Sequence, residues 1–283
     1  MKYYCIGIKG TGMSTLAQML YDMNNEVTGY DDARDYKFTE KGLDERGIKI
    51  FYDNEHPIDK DTIVTASRAF NDNHPEIKRV KQLGLQIKPY NEIVGEITKE
   101  FNTISVCGTH GKTTTTSILK HIFNNTIGCN YFIGDGSGHI DMKNKLLVIE
   151  SDEFNRHFLA YYPKTAVITC IELEHTEIYK DIEDTIRTFE KFANKASKVV
   201  ANGDDLNIRK IKFNNEVIFY GENESNDYIV KNIKLETTGS TFSLYEKDKF
   251  IDTFTIPLYG HHMVMDAVAA IITSLKEGIE VSK

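Results

Sequence analysis

The residues best suited to chemistry lie at Val106-Cys107-Gly108-Thr109-His110-Gly111-Lys112-Thr113-Thr114. A strand-like run precedes them and a helix-like run follows. Glycines in such a turn let backbone N–H groups converge on phosphate oxygens, and a helix N-terminus adds positive potential. Lys112 would neutralise the β- and γ-phosphates and Thr113 would ligate Mg2+. The general P-loop pattern asks for glycine at 106, where this chain has Val106; the shorter form is met by Gly108, three residues before Gly111. A chance Gly-Lys-Thr at a helix start is the competing explanation. Strand, loop and helix in sequence argue against it.

A second glycine turn, Gly7-Ile8-Lys9-Gly10-Thr11-Gly12-Met13-Ser14, also joins a strand to a helix, and Asp31 ends the next strand 19 residues after Gly12. Such a unit can hold a dinucleotide or a nucleotide diphosphate, with the acid on a ribose or base. The strict GxGxxG pattern fails at Thr15. An NAD site and a purely structural turn both compete. Two phosphate-type turns in one chain favour two nucleotide ligands over a nicotinamide. Acids and a histidine follow two further strands. Leu146–Ile149 runs into Glu150, Ser151, Asp152 and Glu153, and Ile168–Ile171 runs into Glu172, Leu173, Glu174 and His175. Open α/β sheets bind ligands at the carboxyl ends of their strands. Glu150 is therefore expected at a Mg2+ shared with ATP phosphates, and His175 as a second metal ligand or a hydrogen-bond partner. Asp152, Glu153, Glu172 and Glu174 stay divided between supporting and surface roles. His261 and His262 open the last helix, where a cap is the simpler role.

The elements needed to position these groups can be read from periodicity. Strand signals at Tyr3–Ile8, Glu26–Tyr30, Thr62–Thr65 and Leu85–Lys88 alternate with helix signals, one of them starting at His74-Pro75-Glu76 and stopping near Gly84. A second start at Thr103–Cys107 leads to a helix bearing Ile118, Leu119, Ile122 and Phe123, strands at Leu146–Ile149 and Ala166–Ile171, and a helix over Asp181–Asn194. Alternating β-formers from Tyr228 to Ile256 predict a small antiparallel sheet, and a last helix starts near His262. The fold class expected is α/β. A Rossmann-like domain spans 1–100, and a P-loop central domain with the small antiparallel sheet spans 101–283. Length agrees with about two domains. Lys plus Arg number 34 and Asp plus Glu 42, a net charge of −8 that excludes a uniformly basic nucleic-acid binder. No run approaches ~18 uninterrupted apolar residues, and glycines come too early for a signal peptide. Cys5, Cys107, Cys129 and Cys170 form no zinc spacing, so a reduced cytoplasmic protein without membrane insertion is expected.

Together these residues resemble the Mur ligase family, in its alanine-adding branch as found in Gram-positive Firmicutes. The two glycine turns carry the resemblance, with Asn73-His74-Pro75-Glu76-Ile77, Ile133-Gly134-Asp135-Gly136, Arg156-His157-Phe158-Leu159, Tyr179-Lys180-Asp181-Ile182 and Gly203-Asp204-Asp205. It covers essentially the whole chain. It implies a first domain holding UDP-N-acetylmuramate, with Gly10, Thr11, Gly12 and Met13 near the diphosphate and Asp31 near the uridine. It implies a central domain holding Mg-ATP on Gly108, Thr109, His110, Gly111, Lys112, Thr113, Thr114 and His262. By position Thr113, Glu150 and His175 match metal-linked residues, Lys112, Glu150 and His175 serve the reaction, and His110 would lie between the two nucleotide sites. The muramyl carboxylate would take the γ-phosphate of ATP, and the amine of L-alanine would displace phosphate from the acyl phosphate.

Departures from the family pattern are Cys170 and Glu174, where Asn and Asp are usual, and Met263 and Asp266, where asparagines near the adenine are usual. The resemblance spans the family's first two domains; a C-terminal domain that binds the amino acid is absent from the sequence, so little or no ligase turnover is expected from this chain alone. A non-catalytic binder of UDP-muramyl precursors and a ligase that recycles muramyl peptides are the alternatives.

Overall fold

The computed structural model describes residues 1–282. By their internal contacts these residues form two units, one of Met1–Glu100 with Asn130–Lys145, the other of Phe101–Cys129 with Leu146 onward.

The first unit is built from β1 (Lys2–Ile6), α1 (Thr11–Asp22), β2 (Glu26–Tyr30), α2 (Lys41–Asp44), β3 (Lys49–Phe51), β4 (Thr62–Ala66), α3 (Pro75–Gln82), β5 (Ile87–Pro89) and α4 (Tyr90–Lys99). Its five-stranded sheet runs β3-β2-β1-β4-β5, with every pairing parallel. Strand order reverses at β1, which pairs Lys2 with Glu26 on one side and with Thr62 on the other. The glycine turn after β1 therefore opens at a topological switch point. Helix α3 starts as its sequence demands. Pro75 occupies the first turn, His74 accepts from the Glu76 N–H, and Gly84 follows at φ 75°. Tyr4, Ile6, Tyr30, Val64, Ile77 and Val80 pack one side of the sheet.

The second unit opens with β6 (Asn102–Cys107) and α5 (Lys112–Asn124). The chain next forms the hairpin β7 (Asn130–Phe132) and β8 (Gly138–His139), which groups with the first unit. There Asp22 of α1 accepts from the Ile140 N–H at 3.1 Å and from Arg46 at 2.7 Å. Division of the sequence near Glu100 assigned this hairpin to the second unit. The second unit resumes with β9 (Leu146–Glu150), β10 (Thr165–Ile168), α6 (Ile182–Ala193), β11 (Lys198–Asn202), β12 (Glu216–Gly221), β13 (Tyr228–Glu236), β14 (Gly239–Glu246), β15 (Lys249–Ile256) and α7 (His261–Lys276). Its strands follow the order β15-β14-β13-β12-β11-β10-β6-β9. From β9 to β13 the pairings are parallel, and the last two are antiparallel. The expected antiparallel strands are thus present, but they extend the parallel sheet through Tyr220↔Tyr228 and Gly221↔Ile229.

Helix α7 buries Val264, Val268 and Ile272 against Leu119 and Phe123 of α5 and the parallel strands. Ala267, Ala269 and Ala270 keep it slim enough to lie close to its neighbours. Strand β10 stops at Ile168, three residues short of the sequence expectation. The reason lies next door. Thr169 donates its N–H to Cys107 O, and Cys170 gives its carbonyl to the Thr109 N–H at 3.0 Å. The end of the strand is diverted to brace the phosphate loop. All four cysteines are free. No helix among the described residues is long and apolar enough to cross a membrane.

Candidate active site

The loop between β6 and α5 is shaped by two glycines. Gly108 has φ 143° and Gly111 φ 82°. A Cβ on Gly108 would lie 2.1 Å from Thr169 Oγ1, and one on Gly111 2.3 Å from Asp266 Oδ1. Neither position admits a side chain, so the loop backbone stays open to an approaching anion. Helix α5 begins without a side-chain cap, which leaves its first N–H groups to a ligand. Glu172 N–H donates to Thr109 Oγ1 at 2.8 Å, and His110 N–H to Cys170 Sγ at 3.2 Å. Lys112 Nζ reaches back to Gly108 O at 2.6 Å and Thr109 O at 3.1 Å. Exposed Thr113 donates to Glu150 Oε1 at 3.0 Å. Three of the expected groups, Lys112, Thr113 and Glu150, thus gather at the ends of β6 and β9.

His175 stands in an adjoining group. Glu153, Glu174 and His175 offer ligand atoms within 4.8 Å of one another, a donor set suited to a divalent cation. Glu153 links the two groups: it lies 2.9 Å from Lys112 Nζ and 3.9 Å from His175 Nε2. Burial pushes its carboxyl up, and Lys112 beside it pulls it partly back. Tyr179 OH donates to Glu153 O at 2.6 Å, and the Phe154 ring stands edge-on to His175 at 4.8 Å. His175 itself sits at φ 51°, a strained backbone for a non-glycine residue. His110 is exposed, 3.5 Å from Glu174 and 3.7 Å from Glu172.

In the first unit the glycine turn is equally constrained. Gly7 has φ 78°, and a Cβ there would lie 2.7 Å from the Phe70 ring. Gly10 and Thr11 are exposed, whereas the Met13 side chain is buried, leaving only its backbone for a ligand. Asp31 is buried too. Its Oδ2 accepts from the Lys9 N–H at 3.0 Å and its Oδ1 from the Ala33 N–H at 3.1 Å. It braces the turn from behind. Lys9 completes that brace: its buried ammonium meets Glu40 at 3.0 Å and Ala33 O at 2.7 Å, while Thr39 donates to Lys9 O at 2.7 Å.

Two family patterns match this arrangement: the Mur ligase middle domain over residues 106–274, and the Mur ligase family catalytic domain over residues 2–102. The chain belongs to the Mur ligase family. It is 39% identical to the UDP-N-acetylmuramate–L-alanine ligase of Lactiplantibacillus plantarum, over 99% of this chain and 64% of that protein. It is 40% identical to the enzyme of the same name from Lacticaseibacillus paracasei, over 98% and 64%. The chain spans about two thirds, strictly 64%, of the curated relatives it matches. Among solved structures, the UDP-N-acetylmuramate-alanine ligase MurC of Thermotoga maritima superimposes with a TM-score of 0.84 at 24% identity, over 99% of this chain and 66% of that one. The murein peptide ligase MPL of Neisseria meningitides gives 0.85 at 22%, over 99% and 95%. At these identities the structural likeness speaks for the fold.

Within this Mur ligase chain the remaining candidates fall into place unevenly. Asp152 accepts from the Phe154 N–H at 2.9 Å and serves the turn. His261 pairs with Glu222 at 2.6 Å. His262 is exposed at the start of α7, beside Gly260, whose Cβ would meet the His262 ring at 2.9 Å. Asp266 is buried, and burial pushes its carboxyl up to about 7. Sequence reasoning left Glu153 undecided and did not single out Thr169. The sole signal for either was position, at the carboxyl end of a strand beside the phosphate loop.

Proposed function

We propose that this chain carries the precursor-binding and ATP-binding portions of a UDP-N-acetylmuramate–L-alanine ligase, an ATP-dependent enzyme of peptidoglycan precursor synthesis. The observation that supports this most is the Lys112, Thr113 and Glu150 group, assembled on a phosphate loop in a chain 39% identical to ligases of that name. The first domain, 1–100, takes the UDP end of the substrate at Gly10, Thr11, Gly12 and the Met13 backbone, with Asp31 holding the turn in shape. The second, 101–283, takes ATP at Gly108, Thr109, His110, Gly111, Lys112, Thr113 and Thr114, with His262 beyond. Both substrates are nucleotides of the cytoplasm, where the reaction belongs.

The donor chemistry fits a divalent cation. Thr113 Oγ1 and Glu150 would hold it beside the phosphates, with His175, Glu153 and Glu174 as the adjoining donors. Bound there, Mg2+ supplies positive charge against the anionic phosphate oxygens. The residues do the rest. Loop N–H groups and the α5 N-terminus orient the triphosphate, and Lys112 offsets its charge. The muramyl carboxylate attacks the γ-phosphorus and ADP leaves. The alanine amine attacks the acyl carbon, phosphate leaves, and the nitrogen loses a proton. Two anions must meet in the first step, so the cationic lining is the physical requirement.

Calorimetric titration with UDP-N-acetylmuramate, against UDP-N-acetylglucosamine, tests the substrate. Binding that depends on the lactyl carboxylate is expected. A folded chain that binds neither, or binds NADH instead, would overturn the assignment.

A further inference from the structure

The phosphate-loop lysine already has an anionic partner. Lys112 Nζ lies 2.9 Å from Glu153 Oε2 and 3.1 Å from Oε1, and the Glu153 side chain is 4% exposed. With Gly108 O and Thr109 O, that makes three acceptor groups around an ammonium that has three protons. A phosphate oxygen approaching Lys112 finds no free N–H while Glu153 stays. The same Oε1 lies 3.9 Å from His175 Nε2, and Glu153 belongs to the Glu153, Glu174 and His175 donor set. Its backbone is held by Tyr179, so a side-chain rotation suffices to move the carboxylate from one neighbour to the other. Leaving a buried charge unpaired is costly, and each of the two positions offers it a partner only under one condition: Lys112 when the loop is empty, a divalent cation when it is filled.

We propose that Glu153 is a surrogate for the nucleotide's terminal phosphate: it occupies Lys112 in the empty loop and releases it when the phosphate arrives with its divalent cation. This rests on reading the loop as an ATP site. Glu153 is thereby a positioning residue that couples phosphate binding to cation binding. Without a cation, ATP must evict a carboxylate that has nowhere better to go. With one, the displaced charge is taken up beside His175.

The test is calorimetric titration of the chain with ATP, in EDTA and in excess Mg2+, for wild type, Glu153→Gln and Glu153→Asp. Glu153→Gln, confirmed folded by circular dichroism, is expected to bind ATP at least tenfold tighter than wild type in EDTA. In Mg2+ that advantage is expected to vanish or reverse. Glu153→Asp, which keeps the charge but shortens its reach, is expected to fall between the two in EDTA, and it carries the test if the Gln variant does not fold. A purely structural Glu153 would weaken ATP in both buffers alike. Unchanged or weaker binding of the variants in EDTA, with wild type binding normally, overturns the surrogate role alone. Wild type that binds no ATP in either buffer overturns the ATP site and the surrogate with it.

Discussion

Replacing Asp266 with asparagine should stabilise this protein, and increasingly so as the pH rises. The Asp266 carboxyl is 7% exposed and packs against the phosphate-loop backbone, 2.3 Å from where a Gly111 Cβ would stand. Tyr220 faces it, its phenol driven well up, chiefly by its own burial and next by the Asp266 charge. Burial carries the carboxyl from an ordinary 3.8 to about 7. At about 1.4 kcal/mol per tenfold change in proton affinity, ionising it in place costs about 4 kcal/mol. The folded state therefore binds this proton more tightly than the unfolded chain. Its contribution is fully present below about pH 4 and is lost as the pH climbs through about 7. Asparagine keeps the shape and cannot ionise. After relaxation of the site, a gain of about 2–4 kcal/mol is expected at pH 8.5, about half of that at pH 5.5, and close to none at pH 4. Urea unfolding at these pH values measures it, and thermal midpoints should follow by about 2–4 °C per kcal/mol. An Asn variant no more stable than wild type at pH 8.5, or a gain that is the same at every pH, would refute the reasoning.

Lys112→Met strands Glu153 as an unpaired buried charge and should cost about 3–5 kcal/mol in urea titration; adding Glu153→Gln should recover most of it, and a double variant no better than the single would show the pair to be idle. Gly111→Ala forces a side chain onto φ 82° and against Asp266, so a loss of about 1–3 kcal/mol is expected, together with loss of ATP binding by calorimetry; retained binding would contradict the loop geometry. Lys9→Met leaves Glu40 buried and unpaired and frees the segment that Lys9 ties down through Ala33 and Asp35. Its stability should fall by about 3–5 kcal/mol and, on the proposed function, its affinity for UDP-N-acetylmuramate should fall with it, and Lys9→Met with Glu40→Gln should restore the former before the latter.

Long or punctuated elements announced themselves in the sequence. Glu26–Tyr30 is a strand with the bounds its β-formers suggest, and Pro75 marks the first turn of α3. The elements that went unread are of three kinds. Strand β3 is three residues long, too short for a period of two to show. Helix α4 carries Gly95 in its middle and is held by burying Ile93, Val94 and Ile97 rather than by propensity. Strands β11 and β12 have β-forming composition, and only their parallel pairing with β10 and with each other makes them part of the phosphate-loop sheet. The β7–β8 hairpin shows the limit of reading along the chain. Its grouping depends on Asp22 and Arg46, both more than 80 residues upstream, and Arg46 also donates to Gly138 O.

The acids after β9 explain why the candidate site was only partly legible. Alternation in a strand says which face a residue takes as long as the ladder lasts, and here the ladder ends at Glu150. Up to that point sequence is enough: Glu150 leaves the strand end toward Thr113, the first hydroxyl of α5, the helix that follows the neighbouring strand β6. Beyond it two acids of similar chemistry take different tasks. Asp152 turns outward and accepts from the Phe154 N–H, two residues on. Glu153, one residue on, is drawn inward, because the Tyr179 hydroxyl holds its backbone and Lys112 meets its carboxylate. Neither partner is near in sequence, and neither would attract a carboxylate to a buried position alone. The same holds at the end of β10, where Thr169 and Cys170 read as strand residues until the loop beside them claims their backbone. A phosphate loop is legible because its chemistry is local. The charge that guards its lysine is not, because burial of that charge is decided by three separate segments meeting.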